Sequence, residues 1–480
     1  MENNHQQNQK KQITIQVIKE EGGNMKKNTI IKIVIIIILA VILGILVKFT
    51  IEAINENSMP QIANQGMNGQ GGNMPGQMGG NSSSIEYSGV TEITEDTTIE
   101  SGEYSSEKAD ENAILVSEDI EATLSNISVD KTGDSDGGDN TSFYGTNSGI
   151  IAKSGANLTL RNITVTTNAT GANGVFSYGG SATTNNTSSD GTTITISDSN
   201  ITTTKDNSGG IMATGGGILN ASNLTINTAG VSSAAIRTDR GGGTVIVDGG
   251  TYTTTGAGSP SIYSTADVIV NDATLVAKTA EGIVIEGKNS VTINNCNLTD
   301  SNTKLNGLST TYKNIFLYQS MSGDADTGNS EFTANNSTIT TNNGDSFYIT
   351  NTASTINLSN NIIINNDSNG NFLRAQSDSW GNKGSNGGDV TLILNNQEAI
   401  GNIVIDSVSK LNMTMKENSY YEGTVNVDNT ANNITLKLDS SSNIKLTGDS
   451  YITSLETDDT TYSNIDFNGY KLYVNGVAIN

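Results

Sequence analysis

Along the middle of the chain one short arrangement of apolar and polar positions returns three times. An apolar residue, any residue, a second apolar residue and a small polar residue come first. An apolar or aromatic residue follows five places after the second apolar one. The copies are Val245/Val247/Asp248/Tyr252, Val268/Val270/Asn271/Leu275 and Val291/Ile293/Asn294/Leu298. Their second apolar residues stand 23 positions apart. Self-similarity at a fixed period of this length marks a repeat architecture. Leu124, Leu160, Ile196 and Leu219 are expected to hold the place of Val247 upstream, and Ala334 and Leu358 downstream. The gaps there are longer and contain polar, Gly-rich stretches such as TSSDGTTI and SMSGDADTG. Such insertions belong in loops, where extra length costs little closure entropy.

Each copy alternates apolar and polar residues over four to six positions, the period of a strand. Val, Ile and Leu alternate with Thr, Ser and Asn, and Gly, Asn, Asp and Ser punctuate the turns. One rung cannot bury its inner side chains alone, whereas stacked rungs make a continuous core. The pattern therefore predicts an all-β solenoid, a parallel β-helix. A polar column follows the second apolar residue: Ser197, Asn220, Asp248, Asn271, Asn294, Asn335 and Ser359. These are either turn formers or a ladder of side-chain hydrogen bonds, and both suit the fold.

The pattern begins near Ile85. Ile85–Asp119 is expected to cap the first rung, and residues 85–385 to form the helix body. From 386 to 480 spacings shorten and Gly falls, as in simpler rungs ending in a cap over Ile465–Asn480. Residues 52–84, rich in Gly, Gln, Asn and Met, read as a flexible linker. Ile30–Val47 is an apolar run whose one charge is Lys32, and with its flank it is expected to span a membrane as a signal anchor over 30–51, the alternative being a cleavable signal peptide. Lys26, Lys27 and Lys32 place residues 1–29 in the cytoplasm and the body outside the cell. The codons for Lys19–Gly23 can form a purine run like a ribosome-binding site, which would start translation at Met25.

The formal net charge is −24, which argues against nucleic acid and anionic membrane surfaces as partners. One Cys, Cys296, allows no internal disulfide, and one His, His5, leaves no Cys/His zinc site in the body and no histidine-based triad. Cys296 is expected to be packed or beside a turn.

The strands preceding each copy align as GIIAK, GIMAT, AIRTD, SIYST and GIVIE. Alternation points Ile150, Ile211, Ile236, Ile262 and Ile283 inward. It points Ile151, Met212, Arg237, Tyr263 and Val284 outward, with Asp239 and Glu286 two places on. Later strands add Phe316, Tyr318, Tyr348 and Arg374, and Arg240 maps near the same face. This face sets aromatics, arginines and carboxylates in columns, the groups that stack on sugar rings and bond their hydroxyls. The candidate ligand set is Arg237, Asp239, Tyr263, Glu286, Phe316, Tyr348 and Arg374. The simpler alternative is a solvated sheet face with an ion pair such as Arg237–Glu286. Asp130, Asp134, Asp136 and Asp139 crowd a flexible stretch that would suit Ca²⁺, although its spacing is not that of an EF-hand. The four read equally as a solvated loop. Asp239 and Glu286 fall two rungs apart, roughly 10 Å, too far for a retaining glycosidase pair. No catalytic signature stands out.

The rungs GIMATGGGILNASNLTI, AAIRTDRGGGTVIVDGGTY and GIVIEGKNSVTINNCNLT resemble the pectate-lyase-like right-handed β-helix superfamily. More narrowly they resemble clostridial and archaeal surface proteins that use such a helix as a carbohydrate-binding or adhesin-like module. The resemblance covers about residues 85–385. It implies a right-handed winding and a surface-anchored polysaccharide binder, sometimes calcium-dependent, without lyase activity. The expected protein is thus non-catalytic, with a polysaccharide or cell-surface glycan as partner. The alternatives are a polysaccharide lyase or glycoside hydrolase of this fold, and a passive surface stalk.

Overall fold

The computed structural model describes residues 85–181 and 189–480. The expected cytoplasmic segment, membrane anchor and linker lie outside the described residues. No helix among the described residues is long and apolar enough to cross a membrane.

The alternation becomes strands whose inner side chains are shut away from water. In Asp267–Asn271 and Ser290–Asn294, Val268, Val270, Val291 and Ile293 are fully buried while their neighbours face solvent. The three copies pair in parallel and in register. Val245 stands opposite Val268 and then Val291, Val247 opposite Val270 and then Ile293, and Tyr252 opposite Leu275 and then Leu298. The 23-residue period is therefore one coil.

Each coil crosses three tracks of parallel strands. The first is a 12-stranded sheet running from Gly89–Ile93 to Ile403–Ile405. The second and third are joined in a 22-stranded assembly, because Gly217–Thr228 and Gly243–Thr254 run through both. A 4-stranded sheet, from Glu398–Ile400 to Ile465–Asp466, extends the stack. Parallel pairing continues across residue 385, where Thr352–Ser359 pairs with Gly388–Asn395 and that strand with Lys410–Lys416. The fold is all-β with stacked parallel sheets, the arrangement of a parallel β-helix. The expected inward column holds: Ile150, Ile211, Ile236, Ile262 and Ile283 are fully buried, in register with Val175 and Ile315. Each such side chain contributes about 1.5–3 kcal/mol by leaving water.

Two details differ from expectation. Leu219 pairs with Val245, so Ala221 and Ser222, not Leu219 and Asn220, stand opposite Val247 and Asp248. Leu219 has the stronger apolar signal, but both residues face inward and the register is set by the whole strand. Residues Gly89–Ile93, Thr97–Ile99 and Gly102–Ser106 pair in parallel with the following coil, so they form a first coil rather than a separate cap. At the other end, Leu472–Val474 and Val477–Ala478 close as an antiparallel hairpin.

The corner between second and third tracks explains the asparagine. Asn126, Asn162, Asp198, Asn223, Asp272, Asn295, Asn336 and Asn360 all take left-handed backbone there, φ 51 to 57°. Asn and Asp tolerate that conformation better than other side-chain-bearing residues. The column just before the corner is a ladder. The Asn271 amide donates to Asp248 at 2.7 Å, Asn294 to Asn271 at 2.8 Å, and Asn335 to Asn294 at 2.9 Å. Turn formation and laddering are thus carried by adjacent positions. Inside, a buried column does the same work. Each of Ser208, Ser233 and Ser259 accepts a backbone N–H from the preceding coil at 2.9–3.0 Å.

Candidate functional site

The outward column of the first sheet is in register as expected: Ile151, Phe176, Met212, Arg237, Tyr263, Val284, Phe316, Tyr348 and Arg374 are stacked rung on rung. Much of it is not open to solvent, however. A short helix, Asp139–Tyr144, lies over its early rungs. Gly145, which ends that helix with φ 72°, packs so close to Phe176 and Ile151 that an added Cβ would sit 2.8–2.9 Å from their side chains. The Tyr87 hydroxyl donates to the Tyr144 carbonyl at 2.8 Å, and Tyr87 and Tyr178 flank Leu115, Ile151, Phe176 and Met212.

A second roof covers the later rungs. Trp380 packs on Phe316 and Tyr318 with ring centroids 5.2 and 5.3 Å away, and Phe316 stacks on Tyr318 at 4.4 Å. Phe316 is 3% exposed and Tyr348 0%. Tyr348 donates to Asp378 at 2.5 Å and accepts from Gln376 at 2.8 Å. Arg374 is paired with the buried Asp345 at 2.6 Å. Of the expected ligand set, Phe316 and Tyr348 therefore belong to an outer apolar core, and Arg374 braces its edge.

Between the roofs the face is polar. Arg237 pairs with Asp239 at 2.8 Å, not with Glu286. Arg240 pairs with Asp324 at 2.7 Å, and its guanidinium lies 4.0 Å over the Phe143 ring of the first roof. It thus ties the first roof to the SMSGDADTG insertion. Glu286, 1% exposed, accepts from Tyr263 at 2.6 Å, from Tyr318 at 2.9 Å and from Ser320. Ser320 Oγ lies 2.8 Å from Ser322 Oγ, and Ser322 donates to Asp324 at 2.8 Å. Burial lifts the Asp239 carboxyl to about 6, against the opposing pull of Arg237. Burial, then the Glu286 charge, holds the Tyr263 and Tyr318 hydroxyls well above the usual phenol range, so both remain donors. Arg237, Asp239, Tyr263 and Glu286 are brought together with Arg240 and Tyr318 of the same face, and the site gains Ser320 and Asp324. The last two sit in the SMSGDADTG insertion, whose length was visible but whose path back over the sheet was not.

The four aspartates do not converge. Asp130 is exposed on Ile127–Lys131, and Asp134 accepts the Thr170 N–H at 2.7 Å beside Lys205 at 3.4 Å. That backbone hydrogen bond draws the Asp134 carboxyl below the usual range. Asp136 accepts from Gly138 at 2.9 Å, and Asp139 opens the short helix. Among the described residues no group of three or more His, Cys, Asp or Glu is placed to hold a metal ion. Cys296 is buried, and its thiol donates to backbone carbonyls of Val270 and Asn294 at 3.3 Å. No protein-family model, curated protein or solved structure matches the chain.

Proposed function

We propose that this chain is a surface-anchored, non-catalytic polysaccharide binder or adhesin, wound as a right-handed β-helix of the kind seen in pectate-lyase-like proteins. The sugar-contacting surface is the polar strip between the two roofs. One observation supports it most: the Arg240–Asp324 pair and Arg237 keep some exposure beside the partly buried Tyr263 ring, with buried Asp239 held against Arg237, on an otherwise covered face. Guanidinium donors and carboxylate acceptors match the two hydrogen-bonding roles of sugar hydroxyls, and a tyrosine ring gives an apolar ledge. The most enclosed carboxylate, Glu286, is occupied by three hydroxyl donors, which suits a positioning role better than proton transfer.

The test is a glycan array probed with the purified chain, with and without a chelator. Binding to one polysaccharide class is expected, reduced about tenfold or more in Arg237→Ala plus Tyr263→Ala at unchanged melting temperature. Undiminished affinity in that double variant removes the strip as the site. Absence of binding to every glycan favours a passive stalk, and release of products from pectin favours an enzyme.

A further inference from the structure

One buried charged pair has no part in the strip. Lys313 and Glu281 are in register on neighbouring rungs. Ile283 pairs with Ile315, and the Gly282 N–H donates to the Asn314 carbonyl at 2.9 Å, which sets Glu281 opposite Lys313. Their side chains are 0% and 5% exposed, and Nζ lies 3.8 Å from the carboxylate oxygen. The amine sits 4.4 Å from the Phe316 ring centroid and 4.8 Å from that of Tyr348. It donates to Ser309 and to the Thr311 carbonyl at 2.9 and 2.8 Å. Its other neighbour in register, Asp345, is already taken by Arg374 and Asn371. Burial pulls the amine below the ordinary lysine range, which favours the neutral nucleophile.

We propose that Lys313 and Glu281 join in a covalent amide, an internal cross-link between successive coils. The pair supplies every atom. One proton passes from ammonium to carboxylate, giving amine and carboxylic acid. The Nζ lone pair attacks Cδ, a second proton moves from nitrogen to the departing hydroxyl, and the C–O bond breaks. One water leaves as the Nζ–Cδ bond forms, with no oxidation, reduction or added reactant. Two features favour the reaction: the groups are held together for the life of the fold, and the burial of both side chains keeps bulk water from the pair. Fixed proximity of this kind is worth many orders of magnitude over the free groups.

Intact mass spectrometry of the denatured full-length chain tests this. The wild type is expected to be lighter than its sequence by one water, and a tryptic digest to give a branched peptide joining Lys313 to Glu281. Lys313→Met, which keeps the side-chain bulk, is expected to restore the sequence mass. Separate, unbranched Lys313 and Glu281 peptides from the wild-type chain overturn the proposal whether or not the variant folds. So does a loss of water that survives in Lys313→Met.

Discussion

Replacing Phe316 with alanine distinguishes an outer core from an open sheet face. On an open face the change would matter little, within about 0.5 kcal/mol, as at most surface positions. The structure demands far more. Phe316 is buried, and its ring meets Tyr318, Trp380 and Tyr348 at 4.4, 5.2 and 5.7 Å and the Lys313 amine at 4.4 Å. Truncating a buried Phe costs about 3–5 kcal/mol through lost transfer energy and the cavity left behind. The aromatic pairs lie within that figure rather than adding to it. A loss of about 4 kcal/mol raises the population of the roof-open form by about three powers of ten. The chain has one tryptophan, Trp380, and it lies in this roof, so its fluorescence reports the region directly. Urea titration of Phe316→Ala is expected to show the tryptophan transition moving to lower denaturant ahead of the circular-dichroism signal of the rungs. Coincident transitions at the wild-type midpoint, with a tryptophan already solvated in the native protein, would refute the covered face.

Further outcomes follow from the ladder, the corner and the buried carboxyls. Asn294→Ala breaks a link on both sides and is expected to cost about 1–2 kcal/mol by thermal denaturation, whereas Thr292→Ala, on the same strand but outside the ladder, should stay within about 0.5 kcal/mol. Asn336→Ala places a less tolerant residue at φ 51° and should destabilise by about 1 kcal/mol, with Asn336→Gly closer to wild type. Burial lifts the Asp300 carboxyl to about 8, above its unfolded value near 4. The unfolded chain then releases its proton first as pH rises, so stability falls between about pH 4 and 8. Asp300→Asn, which cannot ionise, should flatten that slope, measured as denaturation midpoints at pH 5 and 8; an unchanged slope would put the buried proton elsewhere.

The coil itself was legible because its cause is local. Val247, Val270 and Ile293 repeat at one spacing, and only stacking buries them together. The ladder was legible as a column of polar residues at one step beyond. The roofs were not, because alternation tells which way a side chain points but not what lies over it. A clue was present: Ala113–Val116, Ile150–Ala152 and Ile315–Leu317 are apolar at successive positions, as in a strand covered on both faces. Outward Ile151, Phe176 and Met212 needed a cover, and the polar insertions supplied it while reading as ordinary loops. Arg237–Asp239 was misjudged for a related reason. Both lie on one strand end, where the chain turns and brings residues two apart within reach.

The asparagine ladder has a direction. Each amide points its hydrogens at the coil made before it and turns its oxygen toward the coil made after. The series opens on Asp248, a carboxylate that can receive and has nothing to give. A completed coil therefore presents vacant oxygens to whatever segment of the chain follows it. The spiral can lengthen vectorially, each finished layer serving as template for its successor without waiting for a segment still to be made.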